Sequence, residues 1–313
     1  MPGPGEPRHG EQCASSPTVS ILEEPIHPSR SILSRRLLGA GVAAVVLAAA
    51  STTPATAAGG DDPPEQATGW YLALGDSLAT GYQPDLGEDR SGGYVGPVLD
   101  GIRAEHPKTK LVNLSCYGES TVTMRDGTHC SGAYEEGSQL AEAVEFLHAH
   151  RRTTRLVTVT LGSNDVTPCL STADVRACAE RQLLVVDHNM RSILSALHDT
   201  APDVPIVVTN YYNPYLALFF DPSRRALVPL TSALQAQLNT TLFNATVAAT
   251  GGEGRVADVA TAFNSYDGAS TGGVPRNVAT VCAYTWMCSW SPPNIHATSL
   301  GYDAMAAAVL DRL

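Results

Sequence analysis

Positive charge is scarce in this chain. Its 313 residues hold 20 lysines and arginines against 31 aspartates and glutamates, a net charge of -11, and the only lysines are Lys108 and Lys110. A surface of that sign repels polyanions, so nucleic acid and strongly anionic membranes are poor partners and a neutral substrate fits better. Any Cys-x-x-Cys pair is absent as well, and with it the ligand spacing of a structural zinc site. No internal repeat is present, which excludes solenoids and propellers. No apolar run reaches the roughly 20 residues of a membrane-spanning helix.

The run that comes nearest, LLGAGVAAVVLAAA at residues 37–50, has the form of an export signal instead. Arg35 and Arg36 precede it and the small-x-small triplet Ala55-Thr56-Ala57 follows, so cleavage is expected after about Ala57. The order Ser34-Arg35-Arg36-Leu37-Leu38 resembles a twin-arginine signal, with a general secretory signal as the other route and a retained anchor helix as the alternative to cleavage. Residues 1–57 are therefore read as a leader, 58–68 as a flexible tether rich in Gly, Pro and Asp, and 69–313 as one domain, a length that buries a single generous core. The leader carries four residues of each sign, so the exported part keeps the net charge of -11.

Six of the seven cysteines lie after the leader: Cys116, Cys130, Cys169, Cys178, Cys282 and Cys288. An even number in an exported chain points to disulfides, for which six cysteines allow about 15 connectivities. Nearest neighbours are the expected partners, 116 with 130, 169 with 178 and 282 with 288, because each pair falls in a polar loop region between periodic segments. Each such clip closes a short loop and stabilises by about 2–3 kcal/mol in the chain-entropy model.

Short apolar runs alternate with helical patterns, the signature of an α/β fold with a parallel sheet covered by helices. Strands are predicted at 70–74, 110–114, 156–161, 206–210 and 255–259, and helices at 94–105, 139–150, 173–197, 230–249 and 299–313. In such sheets the site forms beyond the C-terminal ends of the strands, where the strand order reverses. Three predicted strand ends carry unusual polar groups there: Gly-Asp-Ser at 75–77, NLSCYGES at 113–120 and LGSND at 161–165.

Ser77, delivered to the rim by the apolar run YLAL, becomes a nucleophile only beside a base. His148, His150, His188 and His198 fall on predicted helices or at their ends among charged residues, and His106 and His129 in polar loops, where solvent is the expected neighbour. His296 differs, since SPPNIHATSLGY places it on a loop just before the last helix, with Thr298 or Ser299 as N-cap. Asn164 offers a side-chain amide and Gly118 a closely approaching backbone N–H for a developing oxyanion, although each taken singly is also an ordinary turn residue. Asp76 and Asp165 are read as turn and loop anchors.

Taken in order, GDSLATGY, NLSCYGEST, TLGSND and NIHATSLGY resemble the SGNH hydrolases, the GDSL esterases and lipases, over nearly all of residues 69–313. The resemblance implies a three-layer α/β/α, flavodoxin-like fold, with Ser77 as nucleophile, His296 as general base, and Ser77 N–H, Gly118 N–H and Asn164 as oxyanion donors. It implies no metal and no cofactor. The three cysteine pairs and TWMCSWSPP ahead of the histidine look most like the secreted bacterial members. One departure stands out: the aspartate that the family commonly places three residues before the histidine is Pro293 here. A main-chain carbonyl of Pro293 or Asn294 is the expected acceptor for the ring, because fixing the tautomer needs an acceptor rather than a charge.

The expected activity is thus secreted hydrolysis of carboxylic esters through an acyl-enzyme, by a monomer meeting a small-molecule or lipid ester and, transiently, a lipid surface. The apolar loop NPYLALFFDP at 213–222 favours fatty-acyl esters. The alternatives are a polysaccharide acetyl esterase and an inactive binding protein of the same fold.

Overall fold

Five strands made mostly of β-branched and apolar residues build the centre of the molecule. A computed structural model describes residues 68–130 and 132–313. The leader and the tether up to residue 67 lie outside the described residues.

In chain order the elements are β1 (Trp70–Gly75), α1 (Val95–Glu105), β2 (Lys110–Asn113), α2 (Thr121–Asp126), α3 (Gln139–His150), β3 (Thr154–Thr160), α4 (Ser163–Val166) and α5 (Val175–Thr200). They continue with β4 (Ile206–Thr209), α6 (Val228–Ala249), β5 (Arg255–Ala257), α7 (Val259–Ala262), the two-stranded hairpin β6 (Ser270–Thr271) and β7 (Val274–Pro275), α8 (Arg276–Tyr284) and α9 (Ser299–Leu310). A 3-10 turn, Pro214–Phe220, follows β4.

The sheet runs β2-β1-β3-β4-β5 with every neighbour parallel. The chain steps from β1 outward to β2, then returns across β1 to β3, so the order reverses beside β1, and a crevice opens there beyond the strand ends. Helices cover both faces, which is why the strands read as continuous apolar runs rather than as alternating ones. Tyr71 to Leu74 of β1 are wholly buried. The threonines of β3 are buried too, and their hydroxyls are satisfied: Thr158 bonds Tyr71 Oη at 2.9 Å, and Thr160 bonds Tyr94 Oη at 2.8 Å and Thr209 Oγ1 at 2.9 Å.

The five predicted strands and five predicted helices are all present. Four helices were not foreseen: the single turns α4 and α7, the second of which starts at Val259 where the fifth strand was expected to end, and α2 and α8, which are rich in threonine, valine and asparagine, weak helix formers that other contacts fix in place. Ser120 caps α2 by accepting from Thr123 N–H, and α8 packs Val278 and Val281 against Leu216 and Ala217 of the 3-10 turn. The apolar stretch expected to be a loop is that turn. All three nearest-neighbour disulfides form, with Cα separations of 6.5 Å for Cys116–Cys130, 5.5 Å for Cys169–Cys178 and 5.1 Å for Cys282–Cys288. No helix among the described residues is long and apolar enough to cross a membrane.

Candidate active site

Gly75 ends β1 with φ +126°, and a Cβ there would stand 2.0 Å from the Thr160 carbonyl oxygen, so only glycine lets β1 close against β3 before the chain turns. The turn is then wound by Asp76, whose carbonyl accepts from Ala79 N–H at 3.0 Å and Thr80 N–H at 3.1 Å, and whose Oδ1 accepts from Leu78 N–H at 2.9 Å. This winding presents the Ser77 hydroxyl to the crevice, with the residue only 8% exposed.

His296 meets it from the other end of the chain, with Nε2 2.8 Å from Ser77 Oγ. The loop that carries the ring is tied down on three sides. Tyr212 Oη donates to the Ile295 carbonyl at 2.7 Å, Trp286 N–H to the His296 carbonyl at 3.0 Å, and Thr298 N–H to the Tyr284 carbonyl at 2.9 Å. Thr298, one of the two candidate caps, accepts from Gly301 N–H and starts α9.

The group that holds the ring corrects the sequence expectation. Nδ1 of His296 lies 2.7 Å from Oδ1 of the Asn294 side chain, in place of a main-chain carbonyl. The same Oδ1 accepts the His296 backbone N–H at 3.0 Å, and an amide group that receives a backbone hydrogen must present its oxygen. Nδ1 therefore carries the ring hydrogen, and the lone pair of Nε2 faces Ser77. The spacing of two residues explains the geometry: a side-chain carbonyl at position 294 closes an Asx turn onto residue 296 and reaches both nitrogens, while its own backbone N–H is occupied by the Trp286 carbonyl at 3.3 Å.

Gly118 and Asn164 come from the ends of β2 and β3. Cys116 to Glu119 form a turn closed by Glu119 N–H on the Cys116 carbonyl at 3.1 Å, with Gly118 at φ +79° in the position where a type II turn needs a positive φ. Asn164 is the second residue of the short α4 and donates one Nδ2 hydrogen to the Glu119 carbonyl at 2.8 Å, which leaves the other free, and it lines the same small pocket as Ser77 and His296. Among the described residues neither Ser77 N–H nor Gly118 N–H has a hydrogen-bond partner. Asp165 anchors the two loops to each other, accepting from Thr121 N–H at 2.9 Å and Thr121 Oγ1 at 2.6 Å.

Burial sets the electrostatics. Desolvation holds His296 down to a pKa of about 4, so its imidazole is neutral and able to accept a proton over the whole neutral range. Asp76 is pushed up to about 7 by burial, against the opposing effect of Tyr211 Oη, which donates to its Oδ2 at 2.6 Å.

The GDSL-like lipase/acylhydrolase family model matches residues 73–304, from the middle of β1 to the middle of α9. The chain belongs to the GDSL-like lipase/acylhydrolase family. Within it, the phospholipase A1 of Streptomyces albidoflavus NA297 is similar in structure at a TM-score of 0.51 and 20% identity, over 79% of this chain and 99% of that one. The extracellular lipase of Streptomyces rimosus gives 0.50 and 20% over 78% and 99%, and the lipase Lip_vut3 from a goat rumen metagenome 0.50 and 18% over 77% and 95%. At such identities the likeness speaks for the fold alone. No curated protein matches the chain in sequence.

Three features of this GDSL-family hydrolase escape the sequence reading. The pocket at Ser77 shares Ser163, Pro214 and Ile295 with a second recess, which in turn shares Tyr215, Thr231 and Ile295 with a groove of about 760 Å³. That groove is walled by Leu218, Phe220, Leu227, Leu230, Met287 and Pro293, among others. The apolar stretch 213–222 was its only signal. His129, read as a solvated loop residue, is exposed, yet its Nε2 lies 2.8 Å from the Tyr117 carbonyl and would stand 3.1 Å from a Cβ on Gly118. Tyr82 and Tyr117 pack on His296, with ring centroids 4.5 and 5.7 Å away, and nothing in their sequence context marked them.

Proposed function

We propose that the chain is an exported serine hydrolase that cleaves fatty-acyl carboxylic esters through an acyl-enzyme. The observation that carries this reading is the 2.8 Å approach of Ser77 Oγ to a His296 Nε2 whose lone pair is fixed in place by Asn294. Ser77 Oγ attacks the ester carbonyl carbon as its proton passes to Nε2. The oxyanion is received by Ser77 N–H, Gly118 N–H and the free hydrogen of Asn164 Nδ2. Collapse of the intermediate breaks the bond to the alcohol oxygen, which takes the proton from Nε2. Water then repeats the cycle, giving its proton to Nε2, releasing the acid and restoring the serine. Asn294 Oδ1 stabilises the transient imidazolium as an acceptor without a formal charge, so less strongly than a carboxylate would.

The size and lining of the groove favour an aliphatic acyl chain over acetyl, since its volume lies in the range of about 300–1,000 Å³ typical of ligand sites. Phe220 and Leu227, 55% and 44% exposed at the groove wall, suit entry from a lipid surface. Export rests on the leader at residues 1–57 and on three disulfides, which persist in oxidising compartments. The test is a panel of acetyl to palmitoyl esters beside acetylated xylan, together with a fluorophosphonate probe. Wild type should label and prefer chains of about eight carbons or more, for which the groove has room, and Ser77→Ala should neither label nor turn over. Labelling of Ser77→Ala, or a preference for acetylated xylan, would overturn the assignment.

A further inference from the structure

His296 has a second set of neighbours that the steps above do not use. Tyr82 and Tyr117 lie with ring centroids 4.8 Å apart, and Tyr117 is nearly parallel to the imidazole at 29° while 46% of it remains exposed. Neither tyrosine lines the apolar groove; His296, on which both pack, lines the small pocket at Ser77 that connects to the groove through the shared recess.

Both residues are fastened through their main chains. Tyr82 N–H donates to the Ser77 carbonyl at 3.1 Å, and the Tyr82 carbonyl accepts from Tyr302 Oη at 2.8 Å. Tyr117 N–H donates to Glu88 Oε1 at 3.1 Å, and its carbonyl meets His129 Nε2. Glu88 pairs with Arg90 at 3.4 Å, and their side chains are 32% and 43% exposed. The loop that bears them is fastened to the Ser77 turn by Asn113, whose Nδ2 donates to the carbonyls of Ala79 at 2.8 Å and Arg90 at 2.9 Å.

The result is a half-exposed aromatic residue whose main chain gathers a carboxylate, the guanidinium paired with it and the imidazole of His129. That combination suits a saccharide: the C–H face of a pyranose lies on an aromatic ring, while its hydroxyls, donors and acceptors at once, find both kinds of partner around the edge. A glycerol or simple alkyl alcohol offers no flat face, and an aryl alcohol leaves the polar fringe unpaired. Position in the reaction agrees, because the alcohol oxygen must sit within reach of His296 Nε2 to take its proton.

We infer that the alcohol half of the substrate is a sugar ring resting on Tyr117, which makes the substrate an acylated sugar with its chain in the groove. This rests on the ester-hydrolase reading, so the experiment separates the two. The kcat/KM values of 6-O-octanoyl glucose, benzyl octanoate and ethyl octanoate are compared in wild type, Tyr117→Ala, Tyr117→Phe and Arg90→Ala. A ratio cancels any general loss transmitted through His296. The sugar ester should exceed the ethyl ester by about tenfold, Tyr117→Ala should bring that ratio close to one, and Tyr117→Phe should keep it. Arg90→Ala should lower it about threefold and does not depend on the folding of the Tyr117 variants. A wild-type ratio near one, or a benzyl ester preferred to the sugar ester, overturns the inference while leaving the hydrolase reading intact. Octyl β-glucoside, an acetal with no ester bond to cleave, supplies the converse arm by calorimetric titration below its micelle concentration. Binding that weakens about tenfold in Tyr117→Ala, with no turnover of any ester, would sink the hydrolase reading and uphold the sugar subsite.

Discussion

Asn294 fixes the state of His296 through an atom that a substitution can remove. A main-chain acceptor would survive Asn294→Ala almost unharmed, whereas the observed side-chain acceptor predicts a loss of about 10²-fold in kcat as the ring loses its tautomer and its aim. His296→Ala should lose activity almost entirely. The pH profile gives an independent check on the same atoms. His296 must be neutral to accept the proton, and burial lowers its pKa from 6.5 to about 4, so kcat/KM should hold through the mildly acidic range and fall only as pH drops toward about 4. Asn294→Asp puts a carboxylate against Nδ1 and favours the charged ring, so its acid limb should move upward by a measurable margin. An unmoved limb in Asn294→Asp, with full activity in Asn294→Ala, would remove Asn294 from the mechanism. The same burial works on stability in a defined direction. The contribution of neutral His296 is fully present above pH 6.5 and is lost as pH falls through about 4, whereas that of protonated Asp76 is present below 3.8 and is lost as pH rises through about 7.

At the scale of elements, the site depends on a join between β1 and the loop after β2 that is made by one side chain of α3. Gln139 is fully buried at the start of that helix, accepts from Gly75 N–H at 2.6 Å, and reaches the Gly75 carbonyl at 3.2 Å and Glu119 Oε2 at 3.0 Å. Gln139→Leu keeps the volume but strips a backbone N–H and a buried carboxylate of their partner, and should cost about 3 kcal/mol of stability in urea unfolding, with a fall in kcat as Gly118 and Ser77 drift apart. A loss under about 1 kcal/mol would mean that water replaces the amide at no cost. This join shows where the sequence was legible. Strands β1, β3 and β4 announce themselves because burial on both faces demands apolar runs, the edge strands β2 and β5 are only partly buried and read more weakly, and α3 reads correctly from Gln139 to His150 because its pattern is local. Gln139 and Tyr117 did not announce their roles, since Gln139 acts on Gly75 and Tyr117 on His296 across sequence distances that no local pattern encodes; Asn294 acts on a residue only two positions away, but through a side-chain rotamer rather than a backbone position. Ser77, Gly118, Asn164 and His296 were legible only as a set, by resemblance.

For the whole molecule, the three disulfides are distributed so that chemistry and stability share them. Cys116–Cys130 spans the turn of Gly118 and reaches the neighbour of His129, while Cys282–Cys288 spans Trp286, whose backbone holds His296 and Asn294. Cys169–Cys178 ties the segment after α4 to the start of α5. The loops close over separations of 14, 9 and 6 residues. In the chain-entropy model these give about 3, 2.6 and 2.2 kcal/mol, together nearly 8, against a total stability of about 5–15 kcal/mol for ordinary domains. A fold with that balance is marginal once reduced, so protein made in a reducing cytosol should accumulate poorly and exported protein well. The three bonds can be separated one at a time. Replacing Cys169 and Cys178 together by serine should lower the urea midpoint and leave kcat near wild type, because that clip meets the groove through Leu170 and Val175 but touches neither the Gly118 turn nor the His296 loop. Replacing Cys282 and Cys288 should lower the midpoint by a similar amount and also reduce kcat, since the loop that aims His296 is then free to shift, and a 1 Å displacement at a reacting atom costs about 10²-fold. Equal effects of the two pairs on kcat would show that the disulfides act on the fold as a whole and that neither one positions the base.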